Sequence, residues 1–339
     1  MSSTANSPGD AGPVYAGVDV GGTNIKIGLV SASSSSLANT SIPTEQQRGA
    51  EDAMRRAAET VRKLCEEIEL DPATLGGVGL ATPGPLDAKR GMVLAPGNLP
   101  AWRNEPVRDL LAAAIGHPVV YANDANAAAF GEFWAGAGKQ YGSLVMITLG
   151  TGVGGGVILD GKLIDGAHDV GGEIGHIIIN SDDDAPLNSL GLRGTLEGYC
   201  GSYGVVGRAE AALADHYLES SLRDSITGGE ELTPLLVANA AQAGDELALR
   251  VVTDTAKYLA IGVVTCVHLI DPQAVVIGGA LTFGGAGHPL GERFLSEVRE
   301  QAKQRMIPSA AESVVIDFAQ LGGSAGYLGT AGLACQAAK

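Results

Sequence analysis

Two glycine-rich segments contain the residues best suited to chemistry. Residues 17–30 read GVDVGGTNIKIGLV and residues 147–159 read ITLGTGVGGGVIL, so each has an apolar run, a turn of glycine and threonine, and another apolar run. This pattern predicts a strand, a tight turn and a strand. Because glycine lacks a Cβ, the amides of such a turn can approach an anion closely. Two such turns can hold one polyphosphate from opposite sides, which predicts an ATP-dependent phosphotransferase built from two related halves.

Two common nucleotide-binding motifs are excluded. Residues 150–155 match the dinucleotide pattern G-x-G-x-x-G, which requires a helix after the last glycine. Here Val157–Leu159 follows and predicts a strand. The P-loop pattern G-x-x-x-x-G-K-[ST] is absent from both segments.

Phosphoryl transfer also needs Mg2+ and a carboxylate that accepts the proton of the alcohol. Asp19 ends the first predicted strand just before Gly21-Gly22, where a carboxylate can bind Mg2+ directly or through water. A turn-forming aspartate is the alternative interpretation. Thr23 and Thr151 can donate hydroxyls to phosphate or stabilise their own turns, and these two roles are compatible.

Asn123-Asp124 follows a Val-Val-Tyr strand and begins an alanine-rich helix. The N-terminus of a helix favours an ionised aspartate, which suits a general base that must be deprotonated at rest. A simple N-cap is the commonest use of aspartate at such a position. The spacing alone therefore favours Asp124 as the cap.

Residues 171–176, GGEIGH, place a glutamate and a histidine three residues apart. Glu173 and His176 can face one ligand if the segment turns. A metal pair and a histidine satisfied within the fold are the alternatives, and the H-E-x-x-H motif of zinc proteases is absent.

Three further positions are weaker candidates. Glu197 adds a carboxylate before a helix, and Asn98 lies in a predicted turn. Gly278-Gly279 ends a strand where a flat ligand can approach the backbone, although a tight strand-to-helix turn explains the pair equally well.

Composition narrows the class of protein. The chain has 339 residues, 45% of them hydrophobic and 18% charged, which is typical of a globular protein with two domains. A net charge of −16 argues against nucleic acid as the main partner, and the 4% aromatic content argues against a single-strand stacking platform. The four scattered cysteines predict reduced thiols, and no signal peptide or membrane span is expected. We therefore predict a cytoplasmic protein without a membrane partner.

The elements that must position these residues alternate between strands and helices. After a disordered leader at residues 1–13, strands are predicted at 15–20, 25–30, 37–42, 78–81, 119–121, 143–159 (a hairpin), 274–277 and 313–318. Helices are predicted at 51–69, 124–135, 203–217, 234–241, 246–270, 289–305 and 323–337. Residues 84–106 are expected to form a ligand-binding loop, and residues 161–200 are glycine-rich and irregular.

Five segments together resemble the ROK family of bacterial sugar kinases and repressors. They occur in the order Asp19–Thr23, Asn123–Asn126, Leu149–Gly154, Gly172–His176 and Val276–Gly279, and the resemblance runs from about residue 15 to the C-terminus. It implies an α/β, two-domain actin-like ATPase (ribonuclease H-like) fold with a sugar cleft between the domains. The expected domains are a small one at residues 14–122, completed by a helix at about 323–339, and a large one at residues 123–322.

The resemblance also implies a role for each motif residue. Asp124 would be the catalytic base for the 6-hydroxyl of a hexose, and Asp19 would serve Mg2+. The expected ligands of the other hydroxyls are Asn98, Asn123, Glu173, His176 and Glu197. The expected ATP-binding residues are Gly21, Gly22, Thr23, Asn24, Lys26, Thr151 and Gly152 for the phosphates, and Gly278 and Gly279 for the adenosine. Domains that close on the sugar would exclude water, and a homodimer is expected.

One departure from the family pattern concerns zinc. The family commonly has C-x-C-G-x-x-G-C-x-E, whereas residues 188–197 read NSLGLRGTLE. The three cysteine positions hold Asn188, Leu190 and Thr195, and Glu197 remains. Because the thiolate ligands are gone, we predict no structural zinc. His176 would lose its metal partner but could still bind the sugar.

Glucose is the expected substrate, which would make the chain a glucokinase. The alternatives are a kinase for N-acetylmannosamine, N-acetylglucosamine or fructose, and a sugar sensor without catalysis. Polyphosphate is an alternative donor. The repressors of the family carry an N-terminal helix-turn-helix, and the 14 or so residues before the first predicted strand are too few for one.

Overall fold

Contacts between residues divide the chain into two units in this computed structural model, which describes residues 12–339. The first unit contains the described residues up to Gln140 together with Leu163–Gly171 and Leu321–Lys339. The second contains Tyr141–Lys162 and Gly172–Gln320. The predicted leader at residues 1–13 lies almost entirely outside the described residues.

The strands and helices follow the predicted alternation. The strands are β1 (Val14–Val20), β2 (Asn24–Ser31), β3 (Ser36–Pro43), β4 (Gly77–Thr82), β5 (Leu86–Asp87), β6 (Met92–Val93), β7 (Val119–Asn123), β8 (Leu144–Leu149), β9 (Val153–Leu159), β10 (Lys162–Leu163), β11 (Ala274–Gly278) and β12 (Val315–Phe318). The helices are α1 (Ala50–Glu67), α2 (Val107–Ile115), α3 (Asp124–Ala135), α4 (Leu196–Cys200), α5 (Ser202–Leu213), α6 (Ser221–Thr227), α7 (Pro234–Gln242), α8 (Glu246–Ile270), α9 (Pro289–Lys303), α10 (Pro308–Ser313) and α11 (Ala325–Ala337).

Two five-stranded sheets repeat one plan. The first has the order β3-β2-β1-β4-β7 and the second the order β10-β9-β8-β11-β12. In both, the glycine-rich hairpin (β1–β2 or β8–β9) is antiparallel, and its first strand pairs in parallel with β4 or β11. The next strand, β7 or β12, is again parallel. The chain therefore forms the same sheet twice, as the two hairpins predicted.

The core of the first unit lies on both faces of its sheet. On one face α1 buries an apolar stripe that includes Met54 and Val61. On the other face the backbone of α11 approaches so closely that only glycine fits at the points of contact in β1 and β4. A Cβ on Gly17 of β1 would lie 1.9 Å from the Tyr327 carbonyl oxygen, and one on Gly79 of β4 would lie 2.0 Å from that of Thr330.

The core of the second unit is built around α8 and the paired strands β8 and β11. The side chain of Asp245 caps α8 by accepting a hydrogen bond from the Ala248 amide at 3.0 Å, and the helix ends where Asp271 adopts a φ of 52° before Pro272. Leu259 and Val263 of α8 belong to the same buried cluster as Ile147 of β8. None of the helices among the described residues is long and apolar enough to cross a membrane.

The predicted α/β fold with two related halves is confirmed, and the differences in secondary structure from prediction concern short elements. Helices α2, α4, α6 and α10 have no counterpart in the prediction, because helices of one to three turns depend on tertiary packing more than on local periodicity. The helix predicted at 203–217 ends at Leu213, and the strand predicted at 313–318 begins at Val315 because α10 occupies the residues before it.

Candidate functional site

The first glycine turn joins β1 to β2 and is held from outside the hairpin. The Gly21 amide donates to the Asn24 carbonyl at 2.9 Å and closes the turn. Thr44, which is fully buried, donates its hydroxyl to the Gly21 carbonyl at 2.7 Å and its amide to the Thr23 carbonyl at 2.8 Å. Sequence reasoning missed Thr44, because no local motif connects the residue after β3 to this turn.

Asn98 reaches the same turn from the long loop after β6. A Cβ on Gly22 would lie 3.0 Å from the Asn98 carbonyl oxygen, so the glycine allows this close approach. Lys26 of β2 pairs with Asp19 in the β1–β2 register and donates to the Gly323 carbonyl at 2.9 Å. The structure thus brings Asn98 to the first glycine turn, which is flanked by the pair Asp19 and Lys26.

Asp19 is half-buried at the end of β1 and has no hydrogen bond to its carboxylate from residues 12–339. Its carboxyl group lies against Gly326 of α11, where a Cβ would be 2.2 Å from Oδ2. Burial raises the pKa of Asp19 to about 6, and the charge of Lys26 partly opposes this shift.

A desolvated carboxylate of this kind fits a hard cation such as Mg2+, which takes few protein ligands and keeps water or phosphate as the rest. Within the described residues no group of three or more His, Cys, Asp or Glu side chains forms a metal cage.

Parallel pairing places the ends of three strands at one edge of the first sheet. Asp19 of β1 is opposite Ala81 of β4, and Ala81 is opposite Ala122 of β7. Two strand spacings separate Asp19 from Ala122, which is about 10 Å across the sheet. Asp124 follows Ala122 by two residues, so both candidate carboxylates belong to the same edge.

The expectation that Asp124 is the N-cap of α3 is wrong. The cap is Asn123, whose Oδ1 accepts hydrogen bonds from the amides of Ala125 at 2.8 Å and Asn126 at 3.4 Å. Asp124 is the first helical residue, and its Oδ1 accepts from the Ala125 amide at 2.9 Å. Because Asn123 does the capping, Asp124 places a half-buried carboxylate at the positive end of the helix dipole.

The second glycine turn joins β8 to β9 and is also held from outside. The hydroxyl of Ser202 donates to the Gly150 carbonyl at 2.8 Å, and its amide donates to the same oxygen at 3.0 Å. The Val153 amide donates to Glu197 Oε2 at 3.0 Å. A Cβ on Gly152 would lie 2.2 Å from that carboxylate oxygen, so this turn and Glu197 are in direct contact.

Glu197 is only 6% exposed and accepts four hydrogen bonds within the second unit. In addition to the Val153 amide, its Oε1 accepts from the amide and the hydroxyl of Ser189, at 3.2 and 2.6 Å, and from the Tyr203 hydroxyl at 2.8 Å. Burial favours the protonated form, but the hydrogen bonds outweigh it and lower the pKa of Glu197. The predicted sugar contact of Glu197 stays a prediction, and the observed role is to fix the second turn.

Gly278-Gly279 lies beside the second glycine turn. Gly278 of β11 is opposite Thr148 of β8 in the parallel register. Gly279 has a φ of +93°, and a Cβ there would lie 2.1 Å from the Leu149 carbonyl oxygen. The candidate adenosine and phosphate residues of this unit are therefore neighbours.

Glu173 and His176 lie close to each other, beside the start of β9. The short 3-10 helix Ile174–His176 packs so closely on this strand that a Cβ on Gly175 would be 1.9 Å from the Val153 carbonyl oxygen. Glu173 Oε2 lies 3.7 Å from His176 Nε2. The other ring nitrogen of His176, Nδ1, is 2.9 Å from the side-chain nitrogen of Asn188.

The candidates divide between the two units. The first unit contains Asp19, Gly21, Gly22, Thr23, Asn24, Lys26, Asn98, Asn123 and Asp124. The second contains Thr151, Gly152, Glu173, His176, Glu197, Gly278 and Gly279. Besides Thr44, sequence reasoning missed Ser189, Ser202 and Tyr203, since polar residues of these types carry no signal for a distant partner.

Comparisons with known proteins agree on the family. The ROK family model matches residues 15–337. The chain is 33% identical over 315 residues to a glucokinase of Halalkalibacterium halodurans, covering 93% of each chain. It is 34% identical over 277 residues to an N-acetyl-D-glucosamine kinase of Vibrio vulnificus, covering 79% of this chain and 84% of that one. A solved ROK family glucokinase of Streptomyces griseus, in complex with glucose and AMPPNP, superimposes with a TM-score of 0.74 at 31% identity and covers 95% of this chain and 99% of its own.

Proposed function

Because the chain belongs to the ROK family, we propose that it transfers the γ-phosphoryl group of ATP to the 6-hydroxyl of a hexose, with glucose as the substrate. The observation that carries this proposal is the edge of the first sheet, where Asp124, the first residue of α3, follows the strand row that contains Asp19. The glucokinase relative and the glucose complex of the solved relative support glucose as the acceptor.

Asp124 is proposed as the catalytic base. The oxygen of the 6-hydroxyl attacks the γ-phosphorus, its proton passes to the Asp124 carboxylate, and the bond to the leaving oxygen of ADP breaks. The position of Asp124 at the start of α3 supports this role, because the partial positive charge at the N-terminus of a helix favours a negatively charged side chain there.

The remaining hydroxyls of the hexose are proposed to bind Asn98, Asn123, Glu173 and His176. Glu197 would contact the sugar by exchanging one of the four hydrogen bonds that it accepts within the protein. Asn123 uses its oxygen for the cap of α3, so its amide nitrogen is the group available to the sugar. Glu173 is exposed and lies next to His176, which supports a shared ligand for the pair.

The two glycine turns are proposed to bind the phosphates of ATP, with Gly278-Gly279 next to the adenosine. The contact of Gly279 with the end of β8 supports this assignment. Asp19 is proposed to hold Mg2+, which neutralises phosphate charge when bound. A homodimer stays a prediction.

N-acetylglucosamine is the second candidate acceptor, since the Vibrio vulnificus relative is named for that sugar and is 34% identical. A kinase for N-acetylmannosamine or fructose would use the same base and phosphate turns. These substrates differ mainly at C2, so a panel that varies this position separates them.

The test is ADP release with MgATP against glucose, N-acetylglucosamine, N-acetylmannosamine and fructose, followed by Asp124→Asn. We expect glucose to give the highest kcat/KM and the variant to lose about 100- to 10,000-fold, the range for a general base. Asp109→Asn is the matched control, because Asp109 is exposed in the first turn of α2. If no sugar is turned over although sugar binding is still measurable by calorimetry, the kinase proposal is contradicted and a sensor is favoured. A separate assay with polyphosphate in place of ATP tests the phosphoryl donor.

A further inference from the structure

The loop at residues 188–195 stands where the family commonly binds zinc, and its side chains do not fit that metal. Zinc takes four nitrogen or sulfur ligands in a structural site. Among the described side chains around this loop, His176 is the one donor of the kind that a structural zinc site uses. Leu190 is 68% exposed hydrocarbon, and Thr195 Oγ1 already accepts a hydrogen bond from the Gly198 amide at 3.2 Å.

Asn188 is the centre of the hydrogen bonds that hold this loop. Its side-chain oxygen accepts from the amides of Leu190 at 3.0 Å and Leu192 at 2.8 Å. Its backbone amide donates to the Leu192 carbonyl at 2.8 Å, and its carbonyl accepts from the Gly191 amide at 3.0 Å. The residue is 7% exposed, so these bonds are shielded from water.

The same bonds fix the orientation of the Asn188 amide group. Because Oδ1 accepts from two backbone amides, the atom that faces His176 must be Nδ2, which can only donate. Nδ1 of His176 therefore accepts at 2.9 Å, and the proton of the neutral imidazole must be on Nε2. That nitrogen is the one that lies 3.7 Å from Glu173 Oε2.

We infer that Asn188 is a positioning residue that holds His176 as an Nε2–H donor on the side of Glu173, so that hydrogen bonds do here what a metal does elsewhere in the family. The neighbouring Ser189 donates twice to Glu197, which ties the loop to the second glycine turn as well. The tautomer follows from the geometry alone. Donation from Nε2–H to a hexose hydroxyl rests on the proposed function.

The tautomer can be read directly by nitrogen-15 NMR of protein labelled at its six histidines, with His176→Gln identifying the His176 signals. In the wild type we expect the Nε2–H form. Asn188→Asp replaces the donor by an acceptor, so we expect the His176 pattern to change to a protonated Nδ1. Asn180→Asp is the matched control. Asn180 lies between His176 and Asn188 in the chain, and its side-chain amide donates to the Tyr199 hydroxyl at 2.8 Å. The control variant should leave the His176 signals unchanged.

Steady-state kinetics then test the consequence for the sugar. We expect Asn188→Asp to raise the KM for the accepted hexose about tenfold, as for the loss of one hydrogen bond, and to change kcat less. A wild-type His176 protonated on Nδ1, or an unchanged tautomer in Asn188→Asp, would overturn the inference. A reversed tautomer with an unchanged KM would overturn the role toward the sugar. The expected wild-type tautomer in a protein that phosphorylates no hexose would support the positioning role while refuting the proposed function.

Discussion

Each glycine turn of the molecule lies beside a carboxylate, and the two carboxylates have opposite surroundings. Asp19, at the first turn, accepts no hydrogen bond from the described residues, and burial raises its pKa to about 6. Glu197, at the second turn, accepts four, and these lower its pKa despite burial. The first turn is held instead by an uncharged residue, Thr44, whose hydroxyl donates to the Gly21 carbonyl.

The carboxylate of Asp19 is therefore available to a ligand, whereas the carboxylate of Glu197 is occupied by hydrogen bonds within the protein. A carboxylate that loses water without gaining donors destabilises the folded state, and a bound cation can relieve that cost. A carboxylate with four donors stabilises the folded state and has little capacity left for a ligand. From this comparison we expect Asp19 to act in function at the expense of stability, and Glu197 to act mainly in stability.

Asp19→Asn should give the largest change. We expect activity to fall about 100-fold or more, as for other electrostatic groups at reacting centres. In metal-free buffer at pH 7 the variant should be more stable by about 2–3 kcal/mol, because the raised pKa is a cost of ionisation in the folded state. The cost grows as pH rises from the unfolded pKa near 4 to the folded value of about 6 and is absent at lower pH. Urea unfolding at pH 3.5 and pH 7 measures it, and a variant less stable than the wild type at pH 7 would refute the comparison.

Glu197→Gln should change stability in the opposite direction. The amide nitrogen would face a former donor, so we expect a loss of about 2–3 kcal/mol at pH 7. Since the folded pKa is lowered, the stability supplied by Glu197 is present above the unfolded pKa and disappears as pH falls through the folded pKa. The gap between wild type and variant should therefore narrow in acid. Glu210→Gln, on the exposed face of α5, serves as the control for loss of one charge.

The smallest expected changes in stability come from a matched pair of glycine substitutions. A Cβ on Gly326 or Gly152 would lie 2.2 Å from an oxygen of Asp19 or Glu197 respectively. We expect Gly152→Ala to cost about 1–2 kcal/mol, because Glu197 cannot move without losing hydrogen bonds. Gly326→Ala should be close to neutral in stability, because Asp19 has no such bonds and alanine gains about 1 kcal/mol within α11. Equal costs in thermal unfolding would show that the two carboxylates are held alike.

The local pattern of the sequence determined much of the fold and the identity of many candidates. The alternation of apolar runs with Gly-Gly-Thr and Gly-Thr-Gly specified both hairpins, because apolar periodicity and permissive turns are properties of neighbouring residues. The order of five motifs specified the family, which the family model and the relatives confirm. The glycines within the strands β1 and β4 were visible in the sequence, although their partner α11 was not.

The tertiary structure alone decided which groups touch one another. It placed Asn98 on Gly22, assigned the cap of α3 to Asn123 rather than Asp124, and set the tautomer of His176 through Asn188. It also gave Glu197 four donors and left Asp19 with none from the described residues. The physical reason is that a side chain's partners come from segments far along the chain, and the residue types that supply them, serine, threonine, asparagine and tyrosine, form hydrogen bonds almost anywhere. Periodicity and turn chemistry constrain the backbone, whereas hydrogen-bond partners, burial and pKa depend on the packed arrangement.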